Sequence, residues 1–528
     1  MILKLHNGFK AVILGALFSL GWNFSFCQPG ARDNSFGNNG VVVTKIGSGA
    51  DVVLSTIVQE DQKIVSAGYS FEGGQRKFTI LRFDTLGNPD PDFGNTGLAF
   101  VSFGPGNSVG TSVILQPDQK LVLSGYADNG DFNDFALARI NADGSLDQSF
   151  GNEGKTVTSF NSYSIIKSSA LDTKQRIIVA GTTGDGPISP GNHVFAICRY
   201  LSTGIIDSTF GEGGKVLTHI SNDAVATSVA IQNDGKIVVA GFSYLGYGTA
   251  FTLVRYNIDG AIDQSFGDDG IVLTAIGISS SPNSIVIQFD GRMVVVGNSF
   301  DGQRNNLAIV RYNSDGTLDS LFAEHGISIL NFSSNDNYAR SVILQTDHKI
   351  LVAANIKDAD QQYHIGLVRL LSKGSIDSVF GEEGITKTNI SPGSRDFAES
   401  LSLQRDHKII LGGWTKQSDT VSAFVAIRYL SGINTAINTK SITSFNFFPN
   451  PTKRQATIEF FLTNKEIVSS FLLDLNGRVL SKVIHSQYFE PGHNKVIINI
   501  PERLPPGIYI LSFLTSKEKR FFSIEKER

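Results

Sequence analysis

Arg255-Tyr256-Asn257-Ile258-Asp259-Gly260-Ala261-Ile262-Asp263-Gln264-Ser265-Phe266-Gly267-Asp268-Asp269-Gly270 is one copy of a pattern that the chain writes seven times. In every copy an Asp is followed three residues on by Phe and four further on by Gly. The Asp positions are Asp33, Asp90, Asp147, Asp207, Asp263, Asp319 and Asp377, spaced 56 to 60 residues apart. The Phe positions are Phe36, Phe93, Phe150, Phe210, Phe266, Phe322 and Phe380; the Gly positions are Gly40, Gly97, Gly154, Gly214, Gly270, Gly326 and Gly384. A fixed period of this size marks a repeat architecture, in which each unit buries its apolar face against its neighbours.

Upstream of the motif, Thr227 to Gln232 alternates apolar and polar residues, Asn233-Asp234-Gly235 is a turn, and Lys236 to Phe242 is an apolar run, which together read as a hairpin. Phe251 to Tyr256 supplies a third strand and Ile271 to Ala275 a fourth. Four short strands per unit make one blade of a β-propeller. The chain opens on a fourth strand, Val41 to Lys45, and its last unit stops on a third, Phe424 to Leu430. Pairing the two leftovers would close the ring and remove exposed edges. The expectation is an all-β chain: a seven-bladed β-propeller of four-stranded repeats of about 57 residues, with a composite last blade.

An Arg ends each third strand: Arg82, Arg139, Arg199, Arg255, Arg311, Arg369 and Arg428. A cation repeated once per unit pairs most simply with the repeated Asp, so Asp, Phe, Gly and Arg are read as scaffold: the Phe plugs the gap between blades and the Gly takes backbone angles closed to other residues. A position repeated sevenfold cannot by itself mark one active site. The turn between third and fourth strands also spaces oxygens as a calcium loop does, with Asn141, Asp143, Ser145 and Asp147 around Gly144. Two units break that set, reading Leu201-Ser202-Thr203 and Leu371-Ser372-Lys373. Asx turns account for every copy, with calcium as the alternative.

The strand order puts the repeated turns on one face and the varying loops on the other, and function sits on variable loops held by a rigid scaffold. On that face Tyr126, Asp131, Tyr244, Tyr247, Tyr338, Arg340, Tyr363 and Trp414 are the candidate ligand contacts. Aromatics mixed with polar groups suit a sugar or a peptide. Catalytic signatures are missing: no His pair has metal-ligand spacing, and there is no nucleophile elbow or phosphate loop. A binding or interaction protein is therefore the first expectation. A polysaccharide-degrading enzyme using Asp128, Asp131 or Asp134 is the alternative, and a structural surface component a third.

With 45 basic against 49 acidic residues, the net charge of −4 gives no reason to expect nucleic acid or an anionic membrane as partner. Lys4 and Lys10, the apolar run Ala11 to Trp22, and Ser25 and Cys27 read as a signal peptide cleaved before Gln28. Cys198 is then the only cysteine left, so stability must come from the core rather than from disulfides. No other apolar run is long enough to span a bilayer.

The unit in which Gln232, Asp234, Gly235, Lys236, Ala240 and Gly241 precede Arg255, Asp259, Gly260, Asp263, Phe266 and Gly267 resembles the delta-60 repeat of bacterial exported proteins, over about residues 30–430. Ala323 in place of the first Gly, and Asp172 where other units have Gln, depart from it. The resemblance implies no particular activity.

After Gly432 the period stops. Thr457 to Leu462, Ser469 to Leu473, Lys495 to Ile500 and Ile508 to Leu514 read as strands of a small Ig-like β-sandwich. Pro449-Asn450-Pro451, the Asp474 to Arg478 stretch with Gly477, Pro491-Gly492 and Pro506-Gly507-Ile508-Tyr509 look like the ordered motifs of a type A C-terminal sorting domain of the type IX secretion system. That resemblance implies handling by the type IX machinery and delivery to the cell surface or medium, usually with removal of the sorting domain. The expected organisation is a signal peptide at 1–27, the propeller at 28–432, a linker at 433–446 and the sorting domain at 447–528.

Overall fold

The computed structural model describes residues 28–186, 192–416, 418, 420–433, 442–462, 465–474, 479–515 and 519–527. Residues 1–27, expected as a signal peptide, and the motif residues Gly477 and Arg478 lie outside them. The described residues form strands and turns and no helix. The chain divides into two compact units, Met1–Ile433 and Asn434–Arg528.

In the first unit, a run of four strands folds up and down into one antiparallel sheet, as in Ala224–Ile231, Ile237–Tyr244, Thr249–Tyr256 and Ile271–Thr274. Sheets of the same order begin at Asp51, Ser108, Tyr163, Ser279 and Asn337. The last sheet is assembled from both ends of the unit. Arg395–Leu403, Ile409–Lys416 and Ser422–Tyr429 are completed by Val41–Thr44, with Val41 opposite Ile427 and Thr44 opposite Phe424. Seven four-stranded sheets thus stand in this unit among the described residues.

The first strand of each sheet packs against the first strands of the sheets before and after it, and that of the last sheet packs against Asp51–Val58, so these strands form a closed inner circle. Apolar side chains fill every gap between sheets. Phe36, Val53, Ile64 and Leu81 meet Ile410, Phe424 and Ala426 where last and first sheets join, just as Ile178 and Phe195 meet Val229 and Val239 between the third and fourth.

The repeated motif locks the rim of each sheet to the next. Arg139 Nε lies 2.6 Å from Asp147 Oδ2, its guanidinium stands 4.9 Å over the Phe150 ring, and it donates through Nη1 to Ser202 O in the following sheet. The other six sheets repeat the ion pair at 2.6–2.8 Å. Phe150 is wholly buried against Gly204, where a Cβ would meet the ring at 2.7 Å. Gly154 turns the chain into the fourth strand with φ +88°, a region costly to residues with a Cβ. The oxygens of the third-to-fourth turn serve the turn itself: Asp143 Oδ1 accepts the Ser145 amide at 2.9 Å and its hydroxyl at 2.6 Å.

The second unit holds two sheets over one core. Ile442–Phe448, Gln455–Leu462 and Gly492–Asn499 form one; Val479–Phe489, Glu466–Leu473, Gly507–Leu514 and Lys519–Lys526 form the other. Ile458, Phe460, Leu472, Ile484, Leu511, Phe513 and Ile524 fill the space between. The strands absent from the sequence reading, Ile442–Phe448 and Val479–Phe489, are both sheet edges, and the first begins inside the stretch expected as linker; Thr515 to Arg528, expected on the resemblance to complete the last strand, instead holds a separate edge strand, Lys519–Lys526. Asn450 clamps the final strand, donating to Ser523 O at 3.1 Å and accepting the Glu525 amide at 2.8 Å. The Tyr509 hydroxyl donates to Pro505 O at 2.6 Å. Pro451, Pro491 and Gly492 lie in turns or at strand starts.

Candidate ligand-binding channel

Each inner strand carries a one-residue bulge against its neighbour, at Leu54, Thr111, Lys167, Thr227, Asn283, Arg340 and Glu399. A bulge re-aims a side chain. Here it sends seven different residues toward the centre of the ring, as their reach shows. Thr111 Oγ1 donates to Ile166 O at 2.9 Å, and Asn283 Nδ2 donates to Ala339 O at 2.8 Å, in each case on the next inner strand.

Every bulged residue is followed by a serine: Ser55, Ser112, Ser168, Ser228, Ser284, Ser341 and Ser400. These hydroxyls stitch the circle. Ser168 Oγ accepts the Val229 amide at 3.3 Å, Ser228 Oγ the Ile285 amide at 3.3 Å, and Ser341 Oγ the Leu401 amide at 3.2 Å. Ser400 Oγ accepts the Thr56 amide at 3.0 Å, across the junction between the last sheet and the first. An inner edge strand has amides with no strand beside them, and the neighbour's serine satisfies them.

The charged members of the bulge set come from opposite sides. Glu399 Oε2 accepts Arg340 Nη2 at 2.7 Å and Nε at 3.0 Å, while its other oxygen accepts Trp414 Nε1 at 3.2 Å. Lys167, on the third sheet, faces this pair across the channel. Its side chain is exposed to the channel yet surrounded by protein. Burial lowers its pKa, Arg340 adds to the effect and Glu399 opposes it.

Around the channel, on the side of the variable loops, runs an arc of rings. Tyr338 and Tyr363 have centroids 6.4 Å apart, Tyr363 and Phe397 5.3 Å, and Phe397 stacks on Trp414 at 4.1 Å. The arc continues onto the first three sheets with Tyr69, over which Arg76 stands at 5.1 Å, then Tyr126 and Tyr163. Burial pushes the phenol of Tyr126 up to about 12, with Tyr163 adding, and that of Tyr338 up to about 12, with Asp336 adding. These phenols stay protonated near neutrality, so they offer ring faces and hydrogen-bond donors rather than bases.

Of the residues singled out in the sequence, Tyr126, Tyr338, Arg340, Tyr363 and Trp414 come together here. They stand on strands, Leu121–Asp128, Asn337–Leu344, Tyr363–Leu370 and Ile409–Lys416, rather than on the loops expected for them, because the strands extend past the apolar runs. Tyr244 ends the strand Ile237–Tyr244 and Tyr247 lies on the turn before Thr249–Tyr256, 41% and 75% exposed and apart from the arc, and the Tyr244 hydroxyl folds back onto Gly246 O. In the Asp128 to Asp134 stretch two acids bond within it, Asp128 Oδ1 accepting the Gly130 amide at 2.8 Å and Asp134 Oδ2 accepting Asn129 Nδ2 at 2.6 Å, while Asp131 is exposed at the tip. Sequence reasoning missed Lys167, Glu399, Tyr69, Arg76, Tyr163 and Phe397. The usable signal for the first two was the varying residue that precedes a serine repeated in all seven units.

Among the described residues no group of three or more His, Cys, Asp and Glu side chains is placed to hold a metal ion. Nor is any helix there long and apolar enough to cross a membrane.

Five stretches, residues 59–93, 116–150, 232–266, 288–322 and 345–380, match the model of a β-propeller domain of unknown function, DUF5122. Residues 446–524 match the model of a secretion-system C-terminal sorting domain. The matches run from the buried Gln to the motif Phe. The two units without a match are the third, where Asp172 replaces Gln, and the last, whose Asp33 and Phe36 sit at the other end of the chain. No curated protein matches the chain. Solved structures similar to it include a PQQ-bound aldose sugar dehydrogenase from Streptomyces coelicolor, at 11% identity over 76% of this chain and 100% of that one, TM-score 0.34. Another is polysaccharide lyase Uly1, at 11% identity over 71% and 89%, TM-score 0.41. A third is a Bombyx mori GH32 β-fructofuranosidase, at 14% identity over 68% and 87%, TM-score 0.29. Likenesses this loose say nothing about ligand or reaction.

Proposed function

The chain carries DUF5122 β-propeller repeats and a tail that marks it for export by the type IX system to the cell surface or extracellular space, and from this we propose that it is a carbohydrate-binding protein working outside the cell. Its seven sheets are the blades of one ring spanning 28–432, a leader at 1–27 takes it across the inner membrane, and the Ig-like domain from 447 onward, after a linker, is its export signal. The ligand enters from the variable face and lies on the aromatic arc.

The arc is the observation that carries this reading. Four rings in unbroken contact, Tyr338, Tyr363, Phe397 and Trp414, form a half-buried apolar strip beside the protonated hydroxyl of Tyr338, which suits the C–H faces and hydroxyls of sugars. Glycoside hydrolysis generally needs two carboxyl groups flanking one bond. Here the channel carboxylate Glu399 is held by Arg340 and Trp414, which leaves it poorly placed to act as an acid or base. Binding without turnover is the function this arrangement favours.

The test is an array of cell-wall and extracellular polysaccharides probed with the whole chain and read for both retention and released product. Retention without product, weakened about two- to tenfold by Trp414→Ala, is the expected result, given about 0.5–1.5 kcal/mol for an aromatic contact. Product release would replace the reading with that of an enzyme, and silence on every glycan would leave a protein partner or a structural role.

A further inference from the structure

We propose that the ligand bears an anionic group, a uronate carboxylate or a sulfate ester on a sugar chain, and that the Lys167 ammonium meets it inside the channel. This rests on the carbohydrate reading above and narrows it to acidic glycans.

The seven bulged residues differ in one respect that matters. Leu54 is apolar. Thr111, Thr227 and Asn283 are satisfied by backbone carbonyls. Arg340 and Glu399 neutralise each other. Lys167 has no hydrogen bond and no ion pair among the described residues, and the group it faces across the ring begins with another cation. An ammonium exposed to the channel and without a counter-charge is free to take an incoming anion, and no internal ion pair has to break first.

The neighbouring charges point the same way. Arg76 stands exposed over Tyr69, and Lys357 lies 5.7 Å over the Tyr363 ring. The carboxylates nearest the rings include Glu399, paired with Arg340, and Asp336, whose Oδ1 accepts the Asn305 amide at 2.8 Å. Like Lys167, neither Arg76 nor Lys357 has a carboxylate salt-bridge partner among the described residues. The phenols add no negative charge, since burial keeps Tyr69, Tyr126 and Tyr338 protonated. A neutral sugar gains only stacking and ordinary hydrogen bonds there, whereas an acidic one also gains a charge-assisted bond in a site partly shielded from water. The run of flat ring faces favours a sugar chain over an acidic peptide as the carrier of that charge.

The experiment measures binding of the whole chain to four probes: oligogalacturonate, a sulfated galactan, a neutral galactan of matched length and poly-glutamate. Lys167→Met, Lys167→Arg and Trp414→Ala are compared with the parent. Lys167 makes no bond that the fold needs, so the Met variant should melt with the parent, which a thermal scan checks. At least one acidic glycan should bind tenfold or more tighter than neutral galactan; Lys167→Met should lose about ten- to hundredfold of that affinity and Lys167→Arg keep most of it. Trp414→Ala should weaken every sugar. Equal binding of neutral and acidic chains with a silent Lys167→Met overturns the anion inference and leaves the carbohydrate reading standing. Retention of no sugar, or of poly-glutamate alone, overturns both.

Discussion

Phe36→Ala against Phe210→Ala tests whether the ring closes as tightly as it is built elsewhere. Phe36 sits at the junction of last and first sheets and Phe210 at an ordinary junction, yet their surroundings match. Both are wholly buried. Arg428 stands 4.7 Å over the first ring and Arg199 4.6 Å over the second. A Cβ on Gly87 would meet Phe36 at 2.9 Å, and one on Gly260 would meet Phe210 at 3.0 Å. Truncating a buried Phe to Ala costs about 3–5 kcal/mol. With an unfolding entropy of about 2.1 cal/mol/K per residue and a cooperative unit of roughly 400 residues, each variant should melt about 4–6 °C below the parent. Calorimetry on the two variants, and on a chain lacking Val41–Thr44, reads this directly. A normal melt for Phe36→Ala beside a lowered one for Phe210→Ala would refute closure by the N-terminal strand, since it would mean that Phe36 is not packed when the ring is folded.

Acid should loosen the rim. Burial alone would raise the Asp147 pKa, but Lys120, Ser149 and Arg139 outweigh it and hold the group below its ordinary value, and the other six repeated Asp residues are lowered too. A carboxylate depressed in the folded state stabilises above its unfolded pKa of about 3.9 and loses that contribution as pH falls toward the native value. Urea midpoints should stay flat from pH 8 to about 5 and drop below about 4, and Asp147→Asn should be less stable at pH 7 with a shallower acid slope. Glu399→Ala should lower the melting temperature more than Lys167→Met, because it strands Arg340 without its partner; equal melts would count against the pairing. Cys198 is fully buried and its thiol is pushed up to about 12, chiefly by burial, so iodoacetamide at pH 8 should label it only after unfolding in urea. Gly144→Ala should destabilise strongly, since φ is +85° and a Cβ would lie 2.3 Å from Gly94 N, whereas Gly130→Ala, with φ +101° and open space around it, should cost about 1 kcal/mol.

The strands and their grouping were legible because the motif and the alternation recur in each unit, and the unmatched pieces at the two ends of the repeat region revealed where the last sheet finds its fourth strand. The site was half legible. Tyr126, Tyr338, Tyr363 and Trp414 stood out as aromatics near variable loops, and the structure gathers them. Lys167 and Glu399 did not, because a bulge shifts register by one residue without changing composition. Alternation rules place Lys167 on a face it does not occupy. Only the serine that follows, the same in all seven units, betrays that the position before it is set by geometry and free in chemistry. In the tail, the missed strands were edges, whose polar residues dilute the alternation that marks a central strand.

Because Val41–Thr44 completes the last sheet, the chain enters and leaves the ring at one corner: the Gly30 amide donates to Leu430 O at 2.7 Å, and the Asp33 amide to Arg428 O at 2.8 Å. Every strand, serine stitch and Arg–Asp pair of the first unit is therefore supplied before Asn434. A piece of the chain ending at Ile433 carries all of them. The same adjacency makes the ring permutable: joining the two ends by a short bridge and opening a loop elsewhere, between Asp128 and Asn133 for instance, moves the seam while leaving every sheet whole.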